Sequence, residues 1–153
     1  MCVLMKRKIL VSLAIAAWFA GLMAVTPASA DDARLVAFMT GAAERPGPGD
    51  PDGVGRAVIT INDANNQLCL QLQFFNVTLP TTGLHIHFAP PEAPGPIVVP
   101  FANPTTNQFT QCVTVENEAL LDNIAANPQQ YYINLHTLPG FGPGAIRGQL
   151  QKI

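Results

Sequence analysis

The chain has 153 residues, with eight basic and ten acidic side chains and a formal charge of −2. Its length allows one ordinary domain with a buried core. The absence of an excess of basic residues argues against a protein that binds nucleic acids or anionic membranes.

The N-terminal segment has the three zones of a secretory signal peptide. A positive cluster at 6–8 precedes an apolar run at 9–25, and the small residues Ala28 and Ala30 follow. This order predicts export to the periplasm or the extracellular space, with cleavage near Ala30. The alternative is a membrane anchor, but the run is close to the lower limit for spanning a bilayer. Cys2 precedes the positive cluster, which argues against lipid attachment at that cysteine.

Cleavage would leave one domain at 31–153 with no membrane anchor. Three basic residues leave with the signal peptide 1–30, so the domain keeps five basic and ten acidic residues and a formal charge of −5.

Short apolar, alternating or β-branched segments predict the strands of this domain. They are 33–40, 56–61, 67–77, 84–88, 97–101, 109–115, 131–137 and 145–151. The second and third should form a hairpin around an Asn-rich turn. The Gly- and Pro-rich segments 41–55 and 138–144 are predicted to be loops.

One helix is predicted near 117–126, with Asn117 as its N-cap. Many short strands with a single short helix indicate an all-β fold. We therefore expect an antiparallel β-sandwich or barrel, either immunoglobulin-like or superoxide-dismutase-like.

Two cysteines, Cys69 and Cys112, remain in the domain. An even pair in an oxidising compartment favours a disulfide bond. The alternative is two separate buried thiols.

The three histidines of the chain are the main candidates for chemistry. His85 and His87 are two residues apart on a predicted strand, so their imidazoles should share one face of the sheet. His136 lies on another predicted strand. If the two strands are neighbours, three nitrogen ligands with an open position could bind copper or zinc. The alternative is that the histidines are core or rim residues that bond to backbone carbonyls.

Catalysis by a nucleophile has little support, since the last serine is Ser29, before the expected cleavage site. Asp50, Asp52 and Asp63 lie in predicted turns, but they lack the full ligand set of a calcium loop. Arg147 should share a strand face with Gln149, where it could bind an anion, pair with a carboxylate or simply be exposed.

Three segments resemble the CHRD (chordin-type) domain family. They are GAAERP leading to GRAVITI at 41–61, LHIHF with GPIVVP at 84–100, and YYINLHT with GAIRGQL at 131–150. The resemblance covers nearly all of 33–150. It implies a secreted β-sandwich whose recurring histidines match His85, His87 and His136, and whose recurring arginine matches Arg147.

The resemblance implies a binding or structural domain that is not an enzyme. In chordin these domains accompany modules that bind secreted growth factors, and that context is absent here, so no partner can be named. The H-x-H pattern is similar to that of copper-zinc superoxide dismutase, but three histidines are too few for its two-metal site. The alternative function is a mononuclear copper or zinc protein that uses the three histidines. A third hypothesis is a calcium- or protein-binding surface on the loop 41–55.

Overall fold

The computed structural model describes residues 33–153, so the predicted signal peptide lies outside the described residues. Within the described part, no helix is long and apolar enough to cross a membrane.

Nine strands and one α-helix make up the domain. The first six strands are β1 (Ala33–Thr40), β2 (Val54–Asn62), β3 (Gln67–Phe75), β4 (Thr81–Phe88), β5 (Ile97–Pro100) and β6 (Gln108–Thr114). Helix α1 (Glu118–Ala126) precedes β7 (Tyr131–Thr137), β8 (Phe141–Gln149) and β9 (Gln151–Lys152).

The strands form one antiparallel sheet in the order β5-β4-β7-β8-β1-β2-β3-β6, and β9 pairs with β1. The edge strands approach each other, since the Ala102 amide after β5 donates to the Gln111 side chain on β6. The sheet is therefore curled into a half-barrel. The prediction of an all-β antiparallel fold with one short helix is confirmed.

The concave side of the sheet holds a single apolar core. Leu84 on β4, Ile133 on β7, Ile59 on β2 and Leu70 on β3 all belong to it and are fully buried. Helix α1 contributes Leu121 to the same cluster. This arrangement follows from the alternation in the sequence, which places every second side chain of each strand on one face.

Several local predictions agree with the structure. Strands β2 and β3 form the expected hairpin, with Ile61 opposite Leu68. Helix α1 has Asn117 as its N-cap, and its side chain accepts a hydrogen bond from the Leu120 amide.

The predicted loop at 138–144 is partly wrong. Strand β8 begins at Phe141, opposite Thr137, so β7 and β8 form a tight hairpin whose turn is Leu138, Pro139 and Gly140. Gly140 has φ of +120°, a conformation that glycine adopts easily. Backbone pairing with β7 thus overrides the low strand propensity of a segment rich in glycine and proline.

Candidate metal centre

Strands β4 and β7 are neighbours, and this pairing brings the three histidines together. Gly83 lies opposite His136, and His87 lies opposite Tyr132. One ring nitrogen from each histidine can be chosen so that the three atoms lie within 4.8 Å of one another. The ring centroid of His85 is 5.6 Å from that of His87 and 5.2 Å from that of His136.

Hydrogen bonds fix which nitrogen of two histidines carries the proton. Nδ1 of His87 donates to the Gly95 carbonyl, and Nδ1 of His136 donates to the Gly142 carbonyl, each at 2.8 Å. Nε2 of both rings is then an unprotonated acceptor. Both Nε2 atoms, together with Nδ1 of His85, are buried without a hydrogen-bond partner. The three rings therefore direct unshared electron pairs into a common space.

The surroundings favour the neutral imidazole form at His85 and His87. Burial, together with the neighbouring His136 and His87, lowers the pKa of His85 to about 4. Burial also lowers the pKa of His87, although its hydrogen bond to Gly95 acts in the opposite direction. Neutral imidazole is the form that binds metal ions.

Gly83 provides the space that the rings occupy. A Cβ atom added there would lie 2.7 Å from Cε1 of His85 and 3.1 Å from Cδ2 of His136. Any side chain at this position would push the two imidazoles aside.

The loop 89–96 also fixes the position of His87. Its Gly95 carbonyl accepts from His87, and the Gly95 amide donates to the hydroxyl of Tyr132 at 3.3 Å. The Tyr132 ring also stacks on the His87 ring, with centroids 4.7 Å apart and an interplanar angle of 6°. A backbone carbonyl that fixes the tautomer and orientation of a histidine is the usual outer contact of a metal ligand.

Arg147 on β8 anchors this loop. It is only 1% exposed, and its guanidinium donates to the carbonyls of Pro90 and Ala93 at 2.9 and 3.0 Å. The guanidinium also lies 3.4 Å from the centroid of the Tyr132 ring. Of the alternatives for Arg147, the exposed strand arginine is therefore wrong, because the loop 89–96 covers this part of the sheet. Its donors are directed to backbone oxygens rather than to an anion.

A buried carboxyl group lies on the same face of the sheet. Glu44, from the loop between β1 and β2, is 2% exposed, and its Oε1 has no hydrogen-bond partner. Burial raises its pKa to about 7, while the charge of Arg147 and the side chain of Asn134 lower it. Asn134 lies on β7, directly opposite both His85 on β4 and Arg147 on β8.

The other candidate residues lie away from the histidines. A disulfide bond joins Cys69 on β3 to Cys112 on β6, the pairing that the sequence favoured. Asp50 is buried in the loop after β1, whereas Asp63 lies in the turn after β2. Among residues 33–153, the three histidines are the group of histidine, cysteine and acidic residues placed to hold a metal ion.

Sequence reasoning missed the residues that surround the histidines. Asn134 and Tyr132 precede His136 by two and four positions, so the period of a strand would have placed them on the histidine face. Glu44 and Gly95 lie in loops, where no periodic signal exists.

Comparison with known proteins identifies the family of the chain. A search of curated proteins finds no match, and a search of solved structures finds none. The family model of the CHRD domain matches residues 35–150. This match spans most of the chain and includes all three histidines and Arg147, so the chain belongs to the CHRD domain family.

Proposed function

We propose that this chain is an exported CHRD domain that binds a single copper or zinc ion through His85, His87 and His136. Export is supported by the charged, apolar and small-residue zones of the first 30 residues. The domain acts by binding rather than by catalysis, since its expected mature part has no serine nucleophile and its two cysteines are joined.

One observation carries the proposal: each of the three imidazoles has a buried nitrogen with no hydrogen-bond partner, and the rings can place one nitrogen each within 4.8 Å of the others. Buried acceptors without donors are unfavourable, and about 1–3 kcal/mol is lost for each. A cation between them would satisfy all three at once. Ligand nitrogens about 2 Å from one ion lie roughly 3.3 Å apart, so nitrogens 4.8 Å apart need to approach by about 1.5 Å.

The ligand set favours copper over zinc. Both metals bind imidazole, and divalent copper has the higher affinity for a given set of nitrogen ligands. Three protein ligands leave at least one coordination position for another group, as in sites that are not purely structural.

The test is a titration of the protein 31–153 with Cu²⁺ and, separately, with Zn²⁺, followed by calorimetry. We expect one equivalent to bind, and we expect the double variant His85→Ala, His87→Ala to bind at least ~100-fold more weakly. Gln71→Ala, an exposed change on β3, serves as the control and should bind like the parent. Equal binding by the parent and the double variant would remove the proposal.

A second candidate function is a purely structural or protein-binding domain without a metal. The hydrogen bonds of His87 and His136 to backbone carbonyls favour it, since they also fasten two loops to the sheet. In that case neither Cu²⁺ nor Zn²⁺ would raise the melting temperature, and the double variant would lose stability without any change in metal content.

A further inference from the structure

We infer that Asn134 supplies a fourth ligand to the three-histidine centre through its side-chain oxygen, and that Glu44 determines which end of the Asn134 amide faces the metal. This inference rests on the proposed function. It extends the centre from three nitrogen ligands to three nitrogens and one oxygen.

The register of the sheet places Asn134 within the histidine cluster. It pairs with His85 across β4 and β7, so their Cβ atoms are separated by about 5 Å. It also lies two residues before His136, on the same face of β7. Asn134 therefore lies directly opposite His85, diagonally opposite His87 and two positions from His136 on the same strand.

The Asn134 side chain, like the imidazoles, has a buried acceptor atom without a hydrogen-bond donor. It is 2% exposed, and its Oδ1 is buried without a hydrogen-bond partner. Within residues 33–153, seven buried side-chain nitrogen or oxygen atoms lack a hydrogen-bond partner. Five of the seven belong to the histidine cluster and to the residues beside it. These five are Glu44 Oε1, His85 Nδ1, His87 Nε2, Asn134 Oδ1 and His136 Nε2.

Such a set of acceptors is suited to bind a cation. The three nitrogens and Oδ1 can all accept, and none of them receives a hydrogen bond from residues 33–153. Amide oxygen is a known weak axial ligand of copper in sites built mainly from imidazole and sulfur. Asn134 can occupy that position without adding a charge.

Glu44 explains why the oxygen, and not the amide nitrogen, faces the histidines. Its carboxyl group is within hydrogen-bond reach of Asn134, and it occupies the space left by the missing side chain of Gly144. A carboxyl oxygen attracts the NH₂ end of an amide, which leaves Oδ1 turned toward the imidazoles. Arg147 supplies the compensating charge near Glu44.

The experiment uses the protein 31–153 loaded with one equivalent of Cu²⁺ and measures its electron paramagnetic resonance spectrum together with its copper affinity. Asn134→Leu removes the oxygen at similar volume, and we expect altered copper hyperfine splitting and roughly tenfold weaker binding. Asn134→Asp restores an oxygen at the same place and should bind copper at least as tightly as the parent. The control is Asn123→Leu on helix α1, which should leave the spectrum unchanged.

Glu44 is tested separately. Glu44→Gln keeps an oxygen that can accept from the Asn134 NH₂ group, and it should give the single parental spectrum. Glu44→Met removes that acceptor, so both amide orientations become accessible and two superimposed copper signals are expected. A single parental signal from Glu44→Met would overturn the role of Glu44.

The outcomes separate this inference from the proposed function. If the parent binds copper through the histidines but Asn134→Leu has the parental spectrum and affinity, only the fourth ligand is overturned. If Asn134→Leu does not fold, an unchanged spectrum of Asn134→Asp overturns it equally, because a carboxylate ligand must alter the copper signal. A parent that binds no copper overturns both.

Discussion

Strands β3 and β7 show how differently the two parts of this sheet are used. Along β3, residues on the core side are buried, and most of those on the other side, such as Gln71 and Gln73, are exposed. Along β7, every residue is buried except His136, which is partly exposed. The outer face of β7 nevertheless carries polar groups, including Asn134 and the hydroxyl of Tyr132.

The loops account for this difference. The loop 89–96 covers the outer face of β7 and β8, and the loop that carries Glu44 adds to the cover. An ion pair between Arg45 and Glu92 links the two loops at 2.9 Å. Polar groups on a buried face are unfavourable unless each has a hydrogen-bond partner, whereas an apolar face has no such requirement. The β7 side therefore holds the buried polar groups whose unmet hydrogen bonds the proposed metal ion would satisfy.

The largest expected effect comes from removing the guanidinium of Arg147, which lies beneath the loop 89–96. Arg147→Met leaves the carbonyls of Pro90 and Ala93 without donors and should lower the free energy of unfolding by about 3–5 kcal/mol. The matched control is Arg56→Met on the exposed face of β2, where the change should stay within about 0.5 kcal/mol. Urea denaturation of both variants measures the difference. Equal values for the two arginines would mean that the covered face does not contribute to stability.

Removing the disulfide bond tests the part of the sheet formed by β3 and β6. The double variant Cys69→Ala, Cys112→Ala opens a link between residues 43 positions apart and should lower the free energy of unfolding by about 2–4 kcal/mol. Because the bond joins β3 to β6, the copper affinity of the folded protein should not change. A calorimetric titration checks this point, and a clear loss of affinity would show that the two sides are coupled.

Glu44→Gln tests the buried carboxyl group through pH. The folded-state pKa of Glu44 is about 7, above its ordinary value of 4.5. The folded protein thus holds this proton more tightly than the unfolded chain, and the parent loses stability as pH rises from about 4.5 through 7. Glutamine does not ionise, so the variant should exceed the parent by up to about 3 kcal/mol at pH 8 and by little at pH 4. Denaturation at both pH values measures this, with the exposed Glu116→Gln as the control.

The smallest effect compares two adjacent tyrosines on opposite faces of β7. Tyr132→Phe removes the hydroxyl that accepts from Gly95, and Tyr131→Phe removes a hydroxyl that donates to Asn123. Each change should lower the free energy of unfolding by about 1 kcal/mol. Only Tyr132→Phe should also weaken copper binding, by roughly threefold to tenfold, because it loosens the loop that orients His87. Equal copper affinities for the two variants would contradict the role of this loop.

The fold was predictable because its signals are local. Alternation in QLCLQLQFF predicted β3 and its buried face, and the polar turn before it predicted the hairpin with β2. Asn117 and Glu118 marked the start of the helix in the same way. The misplaced start of β8 shows the limit, since Phe141 becomes a strand residue only through its pairing with Thr137.

The candidate site was predictable only in part. The spacing of His85 and His87 placed two imidazoles on one face. Their approach to His136 depends on β4 and β7 being neighbours, although 42 residues of chain separate the two strands. The burial of Arg147 could not be predicted, since it follows from where the loop 89–96 folds back. The approach of Glu44 has the same origin in tertiary structure.

The loop over the centre is attached almost entirely through its main chain. Arg147 and Gln149 reach the carbonyl oxygens of Ala89, Pro90 and Ala93, and His87 reaches that of Gly95. Carbonyl oxygens are common to every amino acid, so most side chains of this loop can be exchanged without disturbing these bonds. Gly95 is an exception, because a Cβ atom there would collide with the backbone of Phe88. The outer surface of the loop can therefore change in sequence while the histidine cluster beneath it keeps its geometry.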